Sequence, residues 1–179
     1  MSVVVLRHPI DRLISQYNYV CVEGKEGRKK WLPSWKEKGQ CPLTLLQFLD
    51  TDLTSETFLI DHLARAGDGK CGVKFAFENL SHNCVRFLLL DKLSDGLFRL
   101  SKVWGPAMQP HLFRMSQENS KKNHSPYPER VRSQAADPKI MKELNRRLRL
   151  DIEFYEAALA YYETQWERPL LSCTDFQKK

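Results

Sequence analysis

The chain has 179 residues, 42% hydrophobic and 11% aromatic, with 28 Lys and Arg against 22 Asp and Glu for a formal charge of +6. That size and composition support a folded domain with a real core and exclude a disordered or fibrous chain. No apolar run approaches the roughly 18 residues of a membrane-spanning helix, and Arg7 breaks the first apolar stretch before a secretory signal can form.

Residues 3–6 (Val-Val-Val-Leu) read as a short buried strand. Pro9 then stands where a first helical turn begins, suited by its fixed φ and missing N–H. Ile10, Leu13, Ile14 and Tyr17 follow at helical spacing and predict a helix to about Tyr19. Residues 23–42, rich in Gly, Pro and charge, read as an exposed loop or insertion. A short helical segment follows at 43–49. Another helix is expected from about Ser55 to Gly67, with Phe58, Leu59 and Leu63 on its buried face. Asp68-Gly69-Lys70 reads as a turn, and 73–80 is ambiguous between strand and helix.

Residues 84–90 read as a buried strand, apolar apart from Arg86. Ser94 is expected to cap a helix through Trp104, stopped by Gly105-Pro106. Four prolines between 106 and 137 predict irregular chain there. Asp137-Pro138 predicts the clearest helix start, a capping carboxylate followed by proline at the first position. Met141, Leu144, Leu148, Ile152, Tyr155, Leu159, Tyr162 and Trp166 then recur in steps of three and four, predicting one long helix with a core-facing stripe that Pro169 ends.

The charge is uneven. Residues 1–110 hold 15 basic and 12 acidic groups, 111–149 hold 10 and 4, and 150–179 hold 3 and 6. The excess in 111–149 looks for an anion, with nucleic acid, a nucleotide phosphate and an acidic polysaccharide all open on charge alone. No aromatic platform interleaves with those basic residues, which argues against a nucleic-acid partner. Cys21, Cys41, Cys71, Cys84 and Cys173 form no C-x-x-C pair and no zinc spacing, so no metal is expected. They read as small buried hydrophobes, or as one or two disulfides with a thiol left over.

The informative segment is Arg7-His8-Pro9-x-x-Arg12-x-x-Ser15-x-Tyr17. A strand ends in arginine and a proline-started helix follows at once. A helix N-terminus offers free N–H groups and partial positive charge to a phosphate, and Arg7 can add a bidentate fork. Ser15 lies on the polar face beside Arg12, its side chain tilted back toward the junction. The segment resembles the 3′-phosphate-binding motif of sulfotransferases that use 3′-phosphoadenosine 5′-phosphosulfate (PAPS), R-D-P-x-x-R-x-x-S-x-Y. His8 replaces the commoner aspartate. Residues 85–105, Lys121-Lys122-Asn123-His124-Ser125 and 144–158 resemble, more weakly, the late strand and helix, the cofactor-covering loop and the closing helix of Golgi carbohydrate sulfotransferases. The uronyl and heparan-sulfate 2-O-sulfotransferases are the nearest comparison.

The resemblance implies an α/β fold, a partial P-loop-like sulfotransferase fold with a parallel sheet flanked by helices and a helix-rich C-terminal half. It implies PAPS as co-substrate and a carbohydrate acceptor, such as an acidic glycan. Arg7 and Ser15 would hold the 3′-phosphate, Arg12 would brace the loop at the cofactor, and Lys121, Lys122 and His124 would lie near the cofactor. Arg146, Arg147 and Arg149 read as a solvated face that an acidic glycan could also use. The family's P-K-x-G-T/S loop for the 5′-phosphosulfate, and its usual base, lie upstream of the R-x-P motif, and no such loop occurs in this sequence. The expectation is therefore one N-terminally incomplete sulfotransferase domain over 1–168 with a tail at 169–179, inactive alone and without an assigned catalytic residue. His8, His62, His111 and His124 are histidines that could serve as a base, and none is assigned. Golgi membrane or lumen follows from the resemblance. The alternative is a non-enzymatic nucleotide- or glycan-binding module, or a basic helical adaptor.

Overall fold

The computed structural model describes residues 2–22, 43–51, 54–64, 72–82, 85–105 and 127–168. They group into two compact units, one drawn from residues 1–7, 60–125 and 153–179, the other from 8–59 and 126–152. The expected loop at 23–42, the turn at 68–70 and all of 106–126 lie outside the described residues.

In the first unit, β1 (Ser2–Leu6) pairs in parallel with β2 (Val85–Leu89), Ser2 opposite Val85 and Leu6 opposite Leu89. β2 is the inner strand in character: Phe87, Leu88 and Leu89 are buried as the apolar run predicts, and Arg86, its one charged residue, is buried with them. The ambiguous segment is helical, α4 (Val73–Leu80), after α3 (Phe58–Ala64). A 3₁₀ turn (Leu90–Lys92) leads directly into α5 (Leu93–Trp104). Ser94 therefore does not cap α5: the cap position is Lys92, without a side-chain cap bond, because the Leu93 N–H already donates to the Leu90 carbonyl within the turn. The helix stops as expected at Gly105, whose φ of +84° suits glycine and whose N–H donates to Ser101 O.

Leu88, Leu97 and Leu100 pack together with Val3, Leu93 and Trp166 against them. α5 approaches β2 closely at Gly96, where an added Cβ would sit 2.7 Å from Leu88 Cδ2 and 3.0 Å from Tyr162 Oη. Tyr162 packs edge-on against Phe87 and Trp166, and its hydroxyl donates to Asp95 Oδ2 at 3.3 Å. Burial first, and the Asp95 carboxylate second, push its phenol up to about 12. Arg99 joins Asp95 to Glu163 by ion pairs of 2.9 and 2.8 Å.

The second unit contains α1 (Pro9–Tyr17), which runs on as a π-helical turn (Asn18–Val22), then α2 (Leu45–Leu49), α6 (Glu129–Ala136), α7 (Pro138–Arg147) and the start of α8 (Arg149–Tyr161). Ile10, Leu13, Ile14 and Tyr17 are buried as their spacing predicts, against Leu45, Phe48, Leu49, Val131, Leu144 and Leu148. Each fully buried Leu contributes about 1.5–3 kcal/mol. Tyr17 donates to Leu43 O at 2.8 Å and accepts from Gln134 Nε2 at 3.2 Å. Thr44 and Gln47 form a reciprocal capping box at α2.

Three expectations are corrected. Residues 129–136 are helical, because Pro128 stands just before the first turn, where proline is compatible with a helix start, and Val131 is buried. The long final helix is interrupted at Leu148, whose ψ of 13° leaves the helical region, although its N–H still donates to Leu144 O and its carbonyl accepts from Ile152 N. Asp137 does cap α7, accepting from Lys139 N at 2.8 Å. α8 ends at Tyr161, and a 3₁₀ turn (Thr164–Trp166) follows. Leu159 is 44% exposed and does not belong to the buried stripe.

That last turn exists because of a strand contact. The Gln165 amide accepts from Phe87 N–H at 2.9 Å and donates to Phe87 O at 3.0 Å, both buried. It thus satisfies a β2 residue as a neighbouring strand would. Arg86 adds a bond from Nη2 to Arg168 O at 2.8 Å. Replacing Gln165 by Ala orphans two buried main-chain groups and is expected to destabilise by about 2–4 kcal/mol, measured by urea unfolding. A change below about 0.5 kcal/mol would show that water replaces the amide at no cost.

Candidate functional site

The motif region begins where β1 ends at Leu6 and α1 begins at Pro9. Arg7 and His8 make the link, both half-buried. His8 is the N-cap residue of α1, with extended backbone (φ −52°, ψ 131°) and no side-chain cap bond. Its carbonyl accepts the first helical bond, from Arg12 N at 2.9 Å. The first turn of α1 therefore presents N–H groups that no capping side chain satisfies, and Pro9 has none to satisfy.

On α1, Ser15 follows Arg12 by three residues, so the two are neighbours on one face. Ser15 is half-buried, and its hydroxyl makes no hydrogen bond to another described residue. Arg12 is held from several sides. Its Nη1 donates to Gln16 Oε1 at 3.0 Å and its Nη2 reaches Ser55 O at 3.4 Å. Its guanidinium lies 4.1 Å from the centroid of the Phe58 ring. Burial lowers the Arg12 pKa from its ordinary value, and the charge of Asp151 works in the opposite direction. Arg12 Nε is buried without a hydrogen-bond partner.

Sequence reading gave Phe58 only a place on a buried helix face and Asp151 only a place in a family pattern, and it missed their part in this region. Asp151 is fully buried, and both its oxygens face the Leu59 N–H, at 3.1 and 2.9 Å. It caps the start of α3, which begins at Phe58 and not near Ser55 as expected. Ser55 Oγ instead accepts from Thr57 N at 3.1 Å, which delays the helix to Phe58. A signal was present: the buried positions run Leu144, Leu148, Asp151, Tyr155, Ala158 and Tyr162, and a carboxylate occupies one step of that series.

The cations expected to face an acidic ligand fare differently. Arg147 is largely buried and engages Asp50, at 2.7 Å, and Glu56, so two carboxylates neutralise it. Arg146 is exposed and holds Glu143 in a two-bond pair. This draws the Glu143 carboxyl below its ordinary range. Arg149 is exposed on α8. His62 is exposed on α3, while Lys121, Lys122, His111 and His124 lie outside the described residues. Cys21 is disulfide-bonded, so it is not the simple buried thiol that one reading allowed; the other four cysteines lie outside the described residues. No cluster of His, Cys, Asp or Glu among the described residues is arranged to hold a metal ion, and no helix there is long and apolar enough to cross a membrane.

A strand, a two-residue link and a proline-started helix thus precede Arg12 and Ser15 on one face of α1. The sulfotransferase family profile matches residues 1–158, and the chain belongs to that family. No curated protein and no solved structure matches it. The small parallel sheet with surrounding helices agrees with a partial α/β sulfotransferase fold.

Arg12→Ala is expected to destabilise the chain by about 2–4 kcal/mol, since it removes two hydrogen bonds and the stack on Phe58. Arg12→Lys keeps the charge but not the planar fork and should recover less than half. Chemical unfolding of the two variants checks this, and equal stability of wild type and alanine variant would refute the bracing geometry.

Proposed function

We propose that this chain carries the 3′-phosphate-binding half of a PAPS-dependent sulfotransferase of the Golgi carbohydrate type, with the uronyl and heparan-sulfate 2-O-sulfotransferases as the nearest comparison. The observation that carries the reading is the start of α1: Pro9 at the first position, after a two-residue link from a strand, with His8 leaving the first turn uncapped by a side chain. Such a turn suits a dianionic phosphate. The Ser15 hydroxyl, without a partner among the described residues, supplies a donor of the right kind. Arg7 supplies the fork. The residues present therefore fit the 3′-phosphate.

In this reading Arg7 and Ser15 bind that phosphate and Arg12 braces α1. Lys121, Lys122 and His124 lie along the cofactor. Bound PAPS would supply the sulfuryl group that passes to a sugar hydroxyl, leaving adenosine 3′,5′-bisphosphate. The acceptor is a carbohydrate, and the basic excess of 111–149 favours an acidic glycan. Arg147 is unsuited to that acceptor, since Asp50 and Glu56 already engage it. The disulfide at Cys21 supports an oxidising compartment such as the Golgi lumen. The domain spans 1–168, and no residue of this chain is assigned as the base.

Calorimetric titration with adenosine 3′,5′-bisphosphate tests the reading. Wild type is expected to bind, and Arg7→Ala and Ser15→Ala should each weaken binding by about 10–100-fold, the loss of a charge-assisted hydrogen bond. A wild-type chain that binds no nucleotide would refute it and favour a helical adaptor. Incubated with PAPS and a heparan or chondroitin acceptor, the 179-residue chain is expected to transfer nothing; detectable sulfation would overturn the half-site assignment.

A further inference from the structure

Among its described residues, the second unit contains one buried carboxylate that the phosphate reading does not use. Asp151 is 0% exposed, sits at a step of the helical series otherwise filled by Leu, Tyr and Ala, and aims both oxygens at one backbone N–H of α3. A buried carboxylate is costly unless it is bonded and its charge answered. An ordinary helix cap is met by an exposed Ser, Thr or Asp of the preceding turn at far smaller cost. The position therefore needs a second reason, and the neighbouring contacts supply one. The N–H that Asp151 fixes belongs to Leu59, next in sequence to Phe58. The Phe58 ring lies 4.1 Å from the Arg12 guanidinium, a cation–π distance. Arg12 in turn holds Gln16 on its own helix and Ser55 before α3, so it ties α1 to the segment that Asp151 fixes. Ser15 lies between Arg12 and Gln16 in sequence, on that same stretch of α1. The charge of Asp151 also acts on Arg12 directly, favouring its charged form against burial.

We infer that Asp151 is a positioning residue for the phosphate-binding helix: it fixes the first turn of α3, this sets the Phe58 ring against Arg12, and Arg12 sets the face of α1 that presents Ser15. The inference rests on the reading of α1 as the 3′-phosphate site. Asp151 touches no ligand in this scheme. Its effect is on the discrimination between nucleotides with and without a 3′-phosphate, which general loss of stability does not alter, because a smaller folded fraction weakens both equally.

The test measures affinity for adenosine 3′,5′-bisphosphate and for adenosine 5′-monophosphate on the full chain. Wild type should prefer the bisphosphate by about tenfold or more. Asp151→Ala should cut that ratio to about a third or less, and Asp151→Asn, which keeps an acceptor for the Leu59 N–H, should restore most of it. Since Asp151→Ala removes a buried group and can unfold the unit, Phe58→Leu serves as the second variant. It keeps apolar volume at the site but removes the ring face, and it too should lower the ratio while circular dichroism stays native. A folded Phe58→Leu or Asp151→Ala with the wild-type ratio overturns the inference and leaves the phosphate reading standing. An Asp151→Asn ratio as low as that of alanine overturns the cap as the route. A wild type with no preference at all overturns the phosphate reading and this inference with it.

Discussion

The parallel pairing of Ser2–Leu6 with Val85–Leu89 is the constraint on which the first unit depends. Parallel strands cannot be joined by a tight turn, so everything between residues 6 and 85 is crossover. A parallel strand also needs cover on both faces, since its residues are apolar on both. β2 meets that need with Leu88 packed on Leu97 and Leu100 and with Phe87 against Tyr161 and Tyr162, and Leu89 is buried as well. Gly96 is the residue that lets α5 come close enough, since any side chain there meets Leu88 and Tyr162. Gln165 then completes the main-chain bonding of Phe87. One glycine and one amide therefore do for β2 what further strands do in a larger sheet.

The second unit is organised by polar contacts made across elements. Tyr17 joins Leu43 to Gln134, Arg147 joins Asp50 to Glu56, Arg130 reaches Leu43 O, and Asp151 holds Leu59. Each of these links residues far apart in sequence. Such groups contribute modestly to net stability but penalise any other arrangement, because a buried polar atom that loses its partner costs more than the bond contributed. They also change the meaning of the charge. Arg147 and Arg146 are held by carboxylates of this chain, so the local basic excess overstates what an anionic ligand would meet.

What was legible in the sequence followed from short-range rules. Pro9 with Ile10, Leu13, Ile14 and Tyr17 placed α1 and its buried face, the apolar run placed β2, Asp137-Pro138 placed the start of α7, and Gly105 placed the end of α5. The errors have physical causes. Prolines near 128 were read as breakers although proline at a helix start is favourable, and Ser94 was read as a cap although the turn before it had already satisfied Leu93. Asp151 was read as part of a family pattern and Arg12 as a brace without named partners. Their contacts join positions 43 and 92 residues apart, which no local pattern encodes.

The departure at His8 has an electrostatic consequence for α1. An aspartate at an N-cap accepts from the first-turn N–H groups and places a negative charge beside them. That stabilises the helix but competes with an incoming phosphate for the same donors and repels it. His8 makes no such cap bond. The helix start is left less stabilised by its own sequence, and Pro9 offsets part of this by fixing φ at the first position. The rest of the restraint comes from further along α1, where Arg12 is tied to Gln16 and Ser55 and lies against Phe58. A helix whose first turn has no side-chain cap while its second is clamped holds its position without that cap. That division of labour makes the clamp, and not the cap, the feature on which a phosphate site here would depend.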